Sequence, residues 1–301
     1  MNTIDYEHKG KPVSIQLPGC WDELSAAQLV SIAKKWMPLL IALRNVHAAT
    51  AIAFLNGARI ELLVVLSGIR RWNSFSKKTR DFLRLLPSRR QLRKHRLNAD
   101  FIEQFEHLSA MLRCSDFIFE KVTLTKNLLP VIKTKNYRLN GPDDQLSSLC
   151  LKEFVFADGY FINFKKTLAI EDLNMLVAIL YRPQLDIQPT DPGFSGDYRI
   201  PFNNMAVDAW LNDVQGIALE RKVAIALFYE GCRNNLEKLY PTVFDKKEEA
   251  VSTADGGWFS LVSELPAEKF GTLVEREQVN IDIIFSELEL MLKKMNKTAT
   301  S

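Results

Sequence analysis

Apolar and polar residues alternate at the start of the chain, in Thr3-Ile4-Asp5-Tyr6-Glu7-His8 and again in Pro12-Val13-Ser14-Ile15-Gln16-Leu17. A period of two, with Gly10 between the runs and Pro18-Gly19 after them, predicts a β-hairpin. The period then changes. Ser25-Ala26-Ala27-Gln28 has the form of a capping box, in which the Ser hydroxyl accepts the N3 amide and Gln28 reaches back to Ser25. A helix should follow to about Trp36, and Pro38 either interrupts it or opens a second one. From Phe54 to about Ile69 the chain is apolar on most faces, and helix and strand both stay open. Phe101, Phe105, Leu108, Leu112 and Phe119 then recur at helical spacing. Pro130 breaks the chain, and Asn140-Gly141-Pro142-Asp143 is a turn.

The second half is patterned more regularly. An aromatic-rich helix is expected from Leu151 to Thr167, with Cys150 at the N-cap, Glu153 at N3 and Ser148 as the alternative cap. A short helix from Glu171 to Tyr181 carries Leu173, Leu176, Val177 and Leu180 on one stripe, and Pro183 stops it. Residues 183–203 form a long loop punctuated by Pro183, Pro189, Pro192, Gly193, Gly196 and Pro201. Gly196-Asp197 permits a turn back toward Arg182, and a contact of Arg199 with a carboxylate would pin the loop. A helix from about Asn212 to Cys232 is apolar on nearly every face at Val223–Phe228, and Leu236 and Leu239 continue its pattern to Pro241. The last helix shows Ile281, Ile284, Phe285, Leu288, Met291, Leu292 and Met295 on one face. Its Asp282 lies early and Lys293, Lys294 and Lys297 lie late, as the helix dipole favours. These elements predict a mainly α fold, a helical bundle-like core with a short N-terminal β-hairpin. The domain limits follow the polar stretch: a helical domain over 1–241, a linker over 242–256 and a C-terminal helical segment over 257–301 that packs on the rest.

Composition narrows the classes. With 47% hydrophobic and 25% charged residues, the 301-residue chain is an ordinary globular one. Cys20, Cys114, Cys150 and Cys232 are too sparse for a disulfide scaffold and form no C-x2-C half-site. Four free, mostly buried thiols are expected. His8, His47, His95 and His107 form no H-x3-H pair. No cofactor or metal site is expected. The N-terminus lacks the basic start and apolar core of a secretory signal. Arg44, His47, Arg59 and Glu61 interrupt the most apolar stretch, so no membrane span is expected and the chain is expected to be cytoplasmic.

Charge is uneven. Residues 70–96 hold eleven Lys or Arg against the single acid Asp81. Arg70, Arg71, Arg89, Arg90, Arg93, Lys94 and Arg96 are the candidate contacts to a partner or to phosphates, with Trp72 and Phe75 available to stack on bases. The alternative is a solvated basic face, because Phe82, Leu83, Leu85, Leu86, Leu92 and Leu97 interleave and need a core. Elsewhere the chemistry is thin. Asp143-Asp144 and Asp255 lack a D-x-D-x-D-G loop. Gly256-Gly257 is not a P-loop, and Ser195 lacks G-x-S-x-G spacing. No catalytic residue is assigned, and no enzyme is expected.

Several stretches together resemble a known group. They are Leu124–Pro130, Gly141–Ser147, Glu153-Phe154, Leu173-Asn174, Ala178–Pro183, Gly196–Phe202, Gly257–Leu261 and Phe270-Gly271 with the closing amphipathic helix. Trp21–Ser25 with Gln28 fits the same pattern. The set resembles poorly characterised proteins encoded among phage and prophage tail genes of Bacteroidetes-type bacteria. That resemblance implies a tail-assembly or structural role, chaperone-like in one form. Other phage tail proteins are then the partners, and the place is the host cytoplasm or the virion. Nucleic-acid binding through 70–96 is the alternative.

Overall fold

The structure is a computed structural model that describes residues 2–8, 11–44, 113–114, 116–186, 190–191, 194, 196–245, 257–258, 263 and 265–299. The apolar run 54–69, the basic segment 70–96, most of the periodic stretch from Phe101 and residues 246–256 lie outside the described residues. The chain forms two compact units, residues 1–122 and 123–301.

In the first unit β1 (Asn2–His8) pairs antiparallel with β2 (Lys11–Leu17), with Asn2 opposite Leu17 and His8 opposite Lys11. Trp21 is buried in the turn that follows. Its Nε1 donates to the Phe117 carbonyl at 3.0 Å and its ring meets Phe117 edge-on. Helix α1 (Ala26–Arg44) opens on the capping box. Ser25 N donates to Gln28 Oε1 at 2.8 Å, and Gln28 N donates to Ser25 Oγ at 3.3 Å. The helix does not stop near Trp36 but runs through Pro38 to Arg44. A proline removes one backbone donor, and a helix bonded on both sides of it can continue.

The second unit holds α2 (Leu151–Thr167), α3 (Ile170–Leu180), α4 (Asp208–Gln215), α5 (Leu219–Leu239), α6 (Ala267–Phe270), α7 (Leu273–Glu277) and α8 (Ile281–Ala299). The described chain is mainly α-helical. A small antiparallel sheet accompanies the helices, in the order β3 (Val131–Lys133), β4 (Arg138–Asn140), β5 (Arg182–Pro183). Its strands are too short to leave a period-two signature.

The core of this unit is aromatic. Phe154 of α2 contacts Tyr229 of α5, Trp258 and Phe285 of α8, and Phe244 contacts both Trp258 and Phe285. Each buried ring of this kind contributes about 1.5–3 kcal/mol relative to exposure. Residues 257–301 therefore belong to the same compact unit as 123–241. Burial on α8 follows the expected stripe through Ile281, Ile284, Phe285, Leu288 and Leu292, but Met295 is exposed.

The helix expected over 212–232 is instead two. α4 ends at Gly216, whose N donates to the Asn212 carbonyl, and α5 restarts at Leu219. The Lys222 ammonium donates to the Gln215 carbonyl at 3.2 Å and to Asn174 Oδ1 at 2.8 Å, so a buried cation closes the end of α4. Burial pulls the Lys222 pKa down. Gly231 in the middle of α5 is required by packing, because the Leu124 backbone lies where its side chain would be.

Candidate functional site, a buried ion cluster and a basic cleft

α2 directs Glu153 inward from its first turn, where a carboxylate would ordinarily face the helix amides. α3 ends at Leu180, and Arg182 follows two residues later. The loop after β5 returns, with Ile200 N donating to the Pro183 carbonyl and Leu185 N to the Tyr198 carbonyl. That return brings Arg199 beside Arg182. The two guanidiniums share Glu153: Arg182 Nη2 lies 2.7 Å from Oε1 and Arg199 Nη2 lies 3.3 Å from Oε2. Asp197 closes the ring, accepting from Arg199 Nη2 at 2.7 Å and Nε at 2.9 Å.

The remaining donors go to backbone. Arg182 Nε donates to the Ile200 carbonyl and Nη1 to the Ile179 carbonyl, while Arg199 Nη1 donates to the Leu180 carbonyl. Burial pulls the Arg182 pKa down, against Glu153. Burial also opposes the Arg199 charge, but Glu153 and Asp197 outweigh it and its pKa is raised. Both guanidiniums stay charged. A buried ion cluster of this kind adds little net stability, yet losing one member leaves an uncompensated charge. Chemically it is a latch that ties Arg182 and the Asp197–Arg199 segment to Glu153 of α2.

Neighbouring groups support the latch. Ser148 Oγ accepts from Asp143 N at 3.0 Å and lies 3.3 Å from Arg199 Nη2, so Ser148 is not the cap of α2. Cys150 holds the N-cap position without a side-chain bond. Burial and the nearby Glu153 push its thiol up. Burial and Asp197 raise the Asp143 carboxyl, with Arg199 opposing. Asp144 Oδ1 accepts from Asn127 N at 2.7 Å, so this acidic pair builds a turn. Gly141 is pressed against the Tyr181 ring, and the Tyr181 hydroxyl reaches Asn127 Oδ1 at 3.0 Å and the Leu129 carbonyl at 2.9 Å. Burial raises the Tyr181 pKa, so the hydroxyl stays a donor.

A second buried acid went unnoticed in the sequence. Asp158, on α2 one turn past Phe154, accepts from Arg233 Nε at 2.6 Å and from Trp258 Nε1 at 2.8 Å. Arg233 also lies over the Phe244 ring. Of the stretches that carry the resemblance, Glu153-Phe154, Ala178–Pro183 and Gly196–Phe202 supply the first cluster and Trp258 joins the second. No protein-family model, no curated protein and no solved structure matches the chain. The resemblance therefore rests on those stretches alone.

A cleft of about 430 Å³ opens elsewhere in the same unit, between the β3–β4 turn and the α4–α5 junction. Its wall carries Lys133, Lys135 and Arg221. Asp213 lies in it too, accepting from Asn136 N at 3.0 Å and Asn136 Nδ2 at 2.8 Å. Thr134 and Asn136, with Lys135 near, hold the Asp213 carboxyl below its ordinary range.

The predicted basic contacts Arg70, Arg71, Arg89, Arg90, Arg93, Lys94 and Arg96 lie outside the described residues, as do Ser195 and Asp255. All four cysteines are free. Cys20 is exposed, Cys114 and Cys150 are half-buried and only Cys232 is fully buried, which corrects the expectation of mostly buried thiols. Among the described residues, no His, Cys, Asp and Glu cluster of three or more could hold a metal, and no helix is long and apolar enough to cross a membrane.

Proposed function

We propose that the chain is a structural or chaperone-like component of phage or prophage tail assembly, acting by binding other tail proteins rather than by catalysis. The observation that carries this is a pair of exposed apolar side chains, Ile283 and Leu290, on one side of the closing helix α8. Each of the two is 56% exposed. Ile283 and Leu290 stand seven residues apart on one side of α8, the spacing at which a partner can be gripped across two turns. Two exposed apolar side chains at this spacing offer a partner helix or strand a pair of anchor points. The two ion clusters support the same reading, since their charged groups are engaged in holding the loop and helices in place. The stretches resembling tail-region proteins supply the kind of partner.

The test is a binding assay of the full chain against major tail and tape-measure proteins encoded beside it. Wild type should retain a tail protein, and Ile283→Glu with Leu290→Glu should release it without changing the thermal midpoint by more than a few degrees. Equal retention by both forms would remove the α8 surface from the account.

A second reading has its own observation, the eleven bases against one acid in residues 70–96. If those side chains engage phosphates, affinity falls with salt with a log–log slope of roughly −0.7 to −0.9 per phosphate. Arg89→Glu, Arg90→Glu and Arg93→Glu together would then abolish binding of DNA or RNA.

A further inference from the structure

The cleft between the β3–β4 turn and the α4–α5 junction takes no part in either buried cluster. Lys133, Lys135 and Arg221 on its wall are exposed, and among the described residues none of the three is held by an ion pair. These three cations outnumber the single carboxylate of the cleft, Asp213, which Lys135 faces, so the concavity keeps a net positive charge that favours a further anion. Ile132 and Ile217 supply that wall, and both are buried. The 21-residue helix α5 starts at the same place, and its N-cap Ala218 offers no side-chain oxygen to the opening amides. The one acid in the cleft, Asp213, is engaged by Asn136. At about 430 Å³ the cleft falls in the range of small-ligand sites.

We propose that this cleft binds a phosphate group, either free or carried on a small molecule. Lys135 and Arg221 are its principal contacts, with Lys133 at the rim. Asp213 sets an upper limit on affinity by repelling the same charge.

The experiment is isothermal titration of the full chain at constant ionic strength with inorganic phosphate, ATP and a glutamate-rich peptide. Wild type should bind phosphate or ATP saturably. Lys135→Ala with Arg221→Ala should weaken that binding about tenfold or more, as expected when charge-assisted hydrogen bonds are lost. Asp213→Asn keeps an acceptor for Asn136 while removing the repelling charge, and should tighten it. ATP binding tighter than phosphate assigns the group to a nucleotide-like carrier, and the reverse order assigns it to the free anion. Lys135 and Arg221 are exposed and Asp213 is partly so, and circular dichroism checks that each variant is folded. Four results would overturn the proposal. They are no saturable binding at millimolar phosphate or ATP, unchanged binding in the Lys135/Arg221 variant, preference for the peptide, and loss of binding only in the Arg89/Arg90/Arg93 variant, which would put the phosphate on the basic segment.

Discussion

Arg199 is the residue on which the second unit's loop depends most. Its side chain is fully buried and it bonds Asp197, Glu153, Ser148 and the Leu180 carbonyl. Arg199→Ala leaves Glu153 under-compensated in the interior, and should cost about 3–5 kcal/mol in urea unfolding. Arg199→Lys keeps the charge but cannot span the same four partners, and should fall between. Reactivity of the thiols follows burial. Iodoacetamide at pH 8 should label the exposed Cys20 first, while Cys150, whose thiol is pushed up by burial and Glu153, should react far more slowly. Mass-spectrometric labelling kinetics read both rates, and faster labelling of Cys150 would contradict its placement. The sequence suggested Arg199 as a loop pin, since Gly196-Asp197 permits a turn that returns the chain toward Arg182. It could not name Glu153, which is 46 residues away. Asp158 was missed for a related reason: its partners Arg233 and Trp258 lie 75 and 100 residues along the chain.

Two mid-helix glycines make a matched pair of tests at the scale of the element. Around Gly159 on α2 a methyl group meets nothing within 4 Å, so Gly159→Ala should stabilise by about 0.5–1 kcal/mol through helix propensity. At Gly231 on α5 the added carbon would sit 2.5 Å from the Leu124 backbone N, so Gly231→Ala should destabilise despite the same propensity gain. Thermal midpoints of the two variants should move in opposite directions. Helix α7 offers a pH test. Thr272 caps it reciprocally with Glu275, and the Thr272 amide and hydroxyl lower the Glu275 pKa below its ordinary 4.5. A folded-state pKa below the unfolded one means that the stabilisation is present above pH 4.5 and lost as pH falls through the lowered value. Glu275→Gln should therefore flatten the acid limb of the stability curve. An unchanged limb would show that the box does not form in solution. Periodicity placed α2 and the start of α1 because caps and stripes are local signals. It did not separate α4 from α5, since Gly216 interrupts an apolar pattern that continues on both sides.

At the scale of the molecule the charge asymmetry and the exposed apolar pair of α8 favour different partners. Residues 70–96 carry nearly all of the excess positive charge, while the rest of the chain is close to neutral or acidic. A chain that used this segment for nucleic acid would bind tightly at physiological salt. One that binds tail proteins would lose its partner when α8 is altered and would keep it when the arginines are changed. Fold class was legible because helical stripes and a period-two N-terminus are whole-element patterns. The division at 122/123 was not, because nothing in hydropathy separates Val122 from Thr123. The most direct measurement of the central claim is capture of complexes on the full chain from phage-producing cells at matched ionic strength. Wild type, the Ile283→Glu/Leu290→Glu form and the Arg89→Glu/Arg90→Glu/Arg93→Glu form are compared, with protein and nucleic acid both quantified. The account predicts a stoichiometric tail protein on wild type and on the arginine variant, lost from the α8 variant. Nucleic acid retained at physiological salt by wild type and by the α8 variant, lost from the arginine variant, with no tail protein on any form, would contradict it.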